Sequence, residues 1–426
     1  MSRVLVSRAL GALGLIVSAS MGEASAQPGG CASVVTRATV ARCAVEASPT
    51  VVVASVDREV AAARWQAARQ WLPSNPVLSG SVARRNNGVE PTVTNWSATL
   101  SQELEVGGQR AARLAGADAE RTASSQRVAG ATRAAAVAAW RAYFEVLAAR
   151  DEVVLARRLE ALSAAIADAT QAMADRGAIA GLDADLADAA ASRARQARLS
   201  AEGRLAASRA VLASLLALPA DTLQVEGELE PLRDVSPRAE AADRLPRPEL
   251  GALEWQARAY EARSQLFARQ RIPNLTLSGF AQNDGYSEHV YGIGLSLPIP
   301  LPFPVGRTYA GEIAEARAGA RFVRADATRL QTEIRRDLAV ARAEHDARVA
   351  ERDAIAPAKY TRAETTLAAL AAEVKAGKLA PRDAFVAQQT LIEFLQGRVA
   401  TRRAVALASV ELARAAGLPL EEGGEP

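Results

Sequence analysis

Between Trp96 and Leu104 the residues Trp96, Ala98, Leu100 and Leu104 are apolar, whereas Ser97, Thr99, Ser101 and Glu103 are polar. A period of two predicts a strand with one apolar face. The same rhythm returns about 200 residues later, where Tyr291, Ile293, Leu295 and Leu297 alternate with Gly292, Gly294, Ser296 and Pro298. Elsewhere the period lengthens. Val137, Trp140, Phe144, Leu147, Asp151 and Val154 step by three and four, and after a one-residue shift Leu155, Leu159, Leu162, Ile166, Ala169 and Met173 resume the rhythm. Val323, Ala327, Leu330 and Ile334 keep it in the second half. Such spacing predicts helices packed along a narrow seam, with Arg, Asp and Glu on the solvated faces.

Laid on itself at an offset near 200, the chain matches at four anchors in one order. Ala63-Arg64-Trp65-Gln66 meets Ala262-Arg263-Ser264-Gln265, and Leu78-Ser79-Gly80 meets Leu277-Ser278-Gly279. Gly177-Ala178-Ile179-Ala180 meets Gly377-Lys378-Leu379-Ala380, and both halves finish on Leu-Pro, at 218–219 and 418–419. The chain therefore reads as a tandem duplication, with copies at 27–219 and 247–419, a linker at 220–246 and a disordered tail at 420–426. Each copy predicts a short helix (48–72 and 247–271), a strand pair (near 77–105 and 274–300), a long helix (108–176 and 307–376), a Gly turn and a returning helix. The fold class is mainly α with a small β part.

Composition narrows the function. About 100 of the 426 residues are Ala, the strongest helix former, against 7 Phe, 6 Tyr and 5 Trp, so long helices are expected and a large aromatic core is not. Lys and Arg (51) nearly balance Asp and Glu (48) and are spread along the chain, which predicts no nucleic-acid partner. His289, His345, Cys31 and Cys43 lack the spacing of a metal centre or a Cys/His nucleophile. Neither a catalytic constellation nor a cofactor motif is legible.

Arg3 and Arg8, the apolar run 9–19 and Ala24-Ser25-Ala26 have the order of an export signal, with cleavage expected after residue 26. Three states are open for Cys31 and Cys43: a disulfide, suited to an oxidising periplasm and preferred here, two free thiols, or lipidation of Cys31. Past the signal no apolar run reaches the roughly 18 to 20 residues of a spanning helix, so any passage through a membrane falls to strands closing a barrel. Segments 84–90 and 283–288 then read as outer loops, and Trp96, Tyr286, Tyr291 and Phe303 as candidates for an interfacial girdle. Barrels start at about eight strands, so four strands per chain require several chains, and three copies would supply 12.

The duplicated plan resembles the TolC-type outer-membrane efflux family over nearly the whole mature chain. Local signals are Ser48-Pro49 with Val51, the stretch Gln102-Glu103-Leu104-Glu105-Val106-Gly107-Gly108-Gln109-Arg110, and the Pro298 to Gly306 run. The Gln102 to Arg110 stretch is similar to the branch serving heavy-metal cation pumps. The resemblance implies a homotrimer with a 12-stranded barrel in the outer-membrane lipid and a periplasmic tunnel of antiparallel coiled helices. It also implies a periplasmic adaptor and an inner-membrane pump as partners, the chain itself being a passive duct and not an enzyme. A type I protein secretion channel and a soluble periplasmic coiled-coil adaptor are the alternative readings.

Gly177 and Gly377 read as helix stops, with Asp183 and Asp383 in the first turn of each returning helix. The resemblance places both turns at the periplasmic tip, making Gly177, Ile179, Ala180, Gly377, Leu379 and Ala380 the expected adaptor-docking surface. Asp183, Asp185, Glu373 and Asp383, with Arg176, Lys375, Lys378 and Arg382 nearby, are the gate candidates, as charged rings or as salt bridges.

Overall fold

The computed structural model describes residues 31, 33–86, 92–240, 247–283 and 288–420. The expected signal peptide (1–26), Tyr286 and residues 421–426 of the expected tail lie outside them, as do 87–90 and 284–287 of the expected outer loops. In chain order the elements are β1 (Val34–Val35), α1 (Val40–Ala47), α2 (Pro49–Ala68), β2 (Val77–Arg85), β3 (Val93–Leu104), α3 (Gln109–Asp175) and α4 (Gly181–Leu215). They continue with β4 (Gln224–Val225), α5 (Val235–Glu240), α6 (Pro248–Arg269), β5 (Leu275–Asn283), β6 (His289–Ser296), α7 (Ala310–Asp353), α8 (Pro357–Lys375) and α9 (Pro381–Ala416). The plan α2-β2-β3-α3-α4 recurs as α6-β5-β6-α7/α8-α9.

Pro opens α2, α6, α8 and α9, where its missing N–H costs nothing because the first helical donors have no partner in any case. The 67 residues of α3 span on the order of 100 Å at 1.5 Å per residue. It packs on α4 and α2 of its own copy, and on α6, α8 and α9 of the other. Seam residues Val137, Trp140, Phe144, Leu147, Leu159 and Ile166 are all buried, whereas Val154 points outward and Val153 takes its place inside. Ala119, Ala123, Ala139 and Ala148 are buried on the same helix, where a methyl group is what lets neighbouring backbones approach.

One stretch departs from the narrow seam. From Ala136 to Ala149 nearly every turn of α3 is covered on several sides. Here Trp140, Tyr143 and Phe144 pack edge-on and tilted with ring centroids 5.4–5.8 Å apart, a compact aromatic cluster that the composition did not lead us to expect. Trp140 Nε1 donates to the Leu420 carbonyl at 2.8 Å, and Tyr143 Oη to the Glu226 carbonyl at 2.6 Å.

Those two acceptors correct the expected boundaries. Residues 220–240 are not a loose linker: Leu223, Leu229, Leu232, Val235 and Ala239 are buried against the aromatic cluster, and β4 pairs in parallel with β1. Leu420, assigned to the tail, is likewise buried. Both segments carry apolar residues without helical period, and the belt on α3 supplies the surface that orders them. The chain start is fastened to the same belt, since Cys31 and Cys43 form a disulfide.

The second long helix also differs from expectation. It breaks at 354–356 into α7 and α8, whereas α3 runs through the equivalent region. Pro357 explains the break: it lacks an N–H, its ring clashes with the preceding turn, and Ala356 before it is extended (φ −60°, ψ 136°). Repeat one has Arg157 and Arg158 there and stays helical.

Candidate functional site

The four long strands form one antiparallel sheet in the order β2-β3-β5-β6. Its register gathers most of the large apolar residues onto one face, with Val77, Phe280 and Val290 on the other. Leu78 pairs with Leu100, Val82 with Trp96, Leu277 with Leu295, Gly279 with Ile293 and Ala281 with Tyr291. Leu78, Val82, Leu100, Tyr291, Ile293 and Leu295 are all exposed, so the chain leaves this face bare. The opposite face holds Ser79, Ser81, Ser97, Thr99, Ser101 and Ser278. Ser81 and Ser97 share a hydroxyl hydrogen bond of 2.9 Å, and Ser278 Oγ donates to the Gly294 carbonyl at 3.2 Å. β2 and β6 each have a strand on one side only.

A bare apolar face opposed by hydroxyls inverts the rule for a water-soluble sheet, whose apolar face is the covered one. Both open edges are also unusual for a finished sheet. At the helix-side rim, Gln109 fixes the bend into α3. Its amide nitrogen donates to the Ile272 carbonyl (3.0 Å) and Asn274 Oδ1 (3.1 Å), and its oxygen accepts from Gly107 N–H (2.8 Å), so the two copies are tied together where strands become helices. Gln109 belongs to the stretch singled out in the sequence, but this tie between copies was not legible there.

At the far end are the two hairpin turns. Gly177 (φ 70°) and Gly377 (φ 69°) take the left-handed conformation that other residues adopt only with strain. Each turn closes the same way: Ala178 N–H reaches the Met173 carbonyl at 3.0 Å, and Lys378 N–H the Glu373 carbonyl at 3.0 Å, the double-bonded helix stop that places Gly just past the last turn. Ala180 and Ala380 are exposed, and Ile179 and Leu379 half-buried. Leu379 rests on a cluster built from Leu159 and Ile166 of α3 and Leu367 and Leu370 of α8, so the second hairpin lies against the first.

Among the gate candidates, Asp185, Glu373 and Asp383 are exposed and Asp183 half-exposed. Among the described residues none of the four is in an ion pair. Ion pairs lie higher up the hairpin. Arg157 meets Glu202 at 2.8 Å and Arg198 meets Glu160 at 2.5 Å, tying α3 to α4, and the Arg157 and Arg198 guanidiniums hold the Glu202 carboxyl below its usual range.

Just above the tips, a groove of about 600 Å³ runs between α4 and α9 over α3. Leu186, Phe385, Val386 and Ile392 line it, and in its floor Gln388 Nε2 donates to Ser163 Oγ at 2.5 Å, both residues buried. With the exposed Leu182, this surface extends the apolar character of the turns. Sequence reading stopped at the turns because Leu182, Leu186 and Val386 follow no seam; the i, i+4 spacing of Leu182 and Leu186 next to an exposed turn is the signal it passed over.

The sheet thus has a bare apolar face and a hydroxyl-rich one, and it is carried on paired long helices. Residues 41–218, most of the first copy, match the model of the outer membrane efflux protein family. No curated protein matches the chain. Solved structures share its fold over both copies. A membrane protein from Pseudomonas aeruginosa superposes with a TM-score of 0.75 at 19% identity, covering 93% of this chain and 92% of its own. The outer membrane protein VceC of Vibrio cholerae gives 0.74 at 18%, covering 90% and 97%. The open state of the MtrE outer membrane channel of Neisseria gonorrhoeae gives 0.68 at 18%, covering 90% and 89%.

Proposed function

We propose that three copies of this chain form the outer-membrane exit duct of a tripartite efflux pump. The observation that carries the reading is the four-stranded sheet: its apolar face is bare, its opposite face is hydroxylated and both edges are open. Pairing β6 of one chain with β2 of the next satisfies both edges, and three sheets make a closed barrel of 12 strands, within the range that spans a membrane. The hairpins then hang into the periplasm as a tunnel. Substrate passes through passively, driven by an inner-membrane pump and received through a periplasmic adaptor.

On this reading the adaptor docks on the hairpin tips, through Gly177, Ile179, Ala180, Gly377, Leu379 and Ala380 together with the groove at Leu186 and Val386. Asp183, Asp185, Glu373 and Asp383 ring the tunnel mouth, and their carboxylates favour cations there. The test is the double variant Ile179→Asp with Leu379→Asp, expressed with the cognate pump and adaptor. Resistance to the exported compound is lost while trimer and membrane insertion are retained; unchanged resistance would remove the tips from docking. Loss of cation preference in single-channel recordings of Asp183→Ala with Asp383→Ala is the corresponding result for the mouth.

A further inference from the structure

The alternation of β6 does not end with the strand. Beyond Ser296 the same parity carries Leu297, Ile299, Leu301, Phe303 and Val305, and the intervening positions are Pro298, Pro300, Pro302 and Pro304. The first copy makes the equivalent connection in four residues, 105–108; the second uses thirteen, 297–309. The added segment is a strap outside the strand ladder that ends in a tight turn, with Val305 and Gly306 N–H groups reaching the Pro302 carbonyl at 3.1 and 2.9 Å. Gly306 lies so close to the Leu301 backbone that no side chain fits there. Ile299 (82%), Phe303 (81%) and Val305 (78%) are almost fully exposed.

We infer that this strap is a membrane-interface anchor, lying along the inner leaflet of the outer membrane at the boundary between headgroups and acyl chains. The inference rests on the barrel reading above and goes beyond it, because the strap is outside the barrel wall. Three observations on the molecule identify a lipid surface as its occupant. First, the strap leaves the strand directly after Tyr291, Ile293 and Leu295, the residues the barrel reading turns to lipid, and its own Ile299, Phe303 and Val305 are as exposed as they are. Second, the backbone suits the place: a segment outside the ladder carries a cost for each N–H taken from water, and proline at every second position from 298 to 304 removes half of those donors. Full burial in hydrocarbon would still strand the carbonyls, so the headgroup boundary is where the segment fits.

Third, the same rim is furnished with aromatic and basic groups. Arg307 follows the strap and stacks on Tyr309 at 4.5 Å while pairing with Glu312, and Arg271 donates to the Thr308 carbonyl at 2.9 Å. Across the sheet, at the helix-side end of β2, the exposed Trp71 lies under Arg110 at 4.1 Å. Aromatic rings at headgroup depth beside cations facing lipid phosphates are the arrangement of a membrane–water boundary.

The disulfide makes the test direct. Cys31 and Cys43 are joined, so a cysteine introduced elsewhere is the single labelling site. Nitroxides are placed one at a time at Ile293→Cys, Ile299→Cys and Phe303→Cys in the full-length protein, reconstituted into phosphatidylethanolamine and phosphatidylglycerol vesicles. Collisions with oxygen, which concentrates in lipid, are compared with collisions with a water-soluble nickel chelate. All three positions are expected to favour oxygen, with Ile299 and Phe303 shallower than Ile293. A strap label open to nickel while Ile293 favours oxygen overturns the anchor and leaves the barrel standing. A strap label shielded from both reagents also overturns it, in favour of packing against a second copy. Nickel access at Ile293 refutes the barrel reading itself.

Discussion

Ile293 offers a clean separation between a sheet that faces water and one that faces lipid. Its side chain is 87% exposed in the single chain, midway along β6 opposite Gly279. In water, exchanging so exposed a residue for Arg changes stability by no more than about 0.5 kcal/mol. Facing lipid near the middle of a strand, the same change costs about 2–4 kcal/mol, a loss of about 1.5 to 3 decades in the folding equilibrium, and a trimer carries the cost three times. Gln282→Arg on the opposite face is the control, because it adds the same charge on β5 where the wall meets water. Both variants and the parent are inserted into lipid vesicles and titrated with urea, following trimer on semi-native gels. Ile293→Arg lowers the midpoint strongly while Gln282→Arg leaves it nearly unchanged. Equal midpoints for the two variants would refute the assignment of faces, and with it the barrel.

Two further outcomes concern the belt. Cys31→Ser with Cys43→Ser opens a crosslink whose ends are 12 residues apart and removes about 3 kcal/mol by the loop-entropy argument, so thermal unfolding should drop to the value the parent shows under reductant, with no additional effect of reductant on the variant. Trp140→Ala empties a fully buried site and strands the Leu420 carbonyl. A loss of about 3–5 kcal/mol for the cavity is expected, more than Trp65→Ala at a half-buried position of α2 produces, measured as the shift in denaturation midpoint.

Periodicity made most of the architecture legible. The strands, the long helices and the Gly turns are local devices, and a strand that alternates or a helix that ends on Gly does so whatever surrounds it. What stayed hidden depends on partners far along the chain. The segment 220–240 has no period of its own and is ordered because α3 offers Trp140 and Tyr143 to pack against. Val154 and Val153 look alike in a heptad, and only the neighbour on the other side chooses between them. Pro357 was visible as a residue, but its effect was masked by the helical pattern continuing on both sides. For the docking surface, the Gly turns could be read because they are chemically distinctive, whereas the groove above them is made by two helices whose juxtaposition no single window of sequence contains.

The break at 354–356 has a consequence for symmetry. In the proposed threefold ring a duplicated chain would present six hairpins, and had the copies remained alike the tunnel would be nearly sixfold. Because one hairpin of each pair is built on an unbroken strut and the other on a jointed one, stiff and compliant members alternate around the circle. Any partner that grips the ring from below therefore meets two kinds of handhold, and a twist applied evenly to all six is taken up unevenly, at three joints.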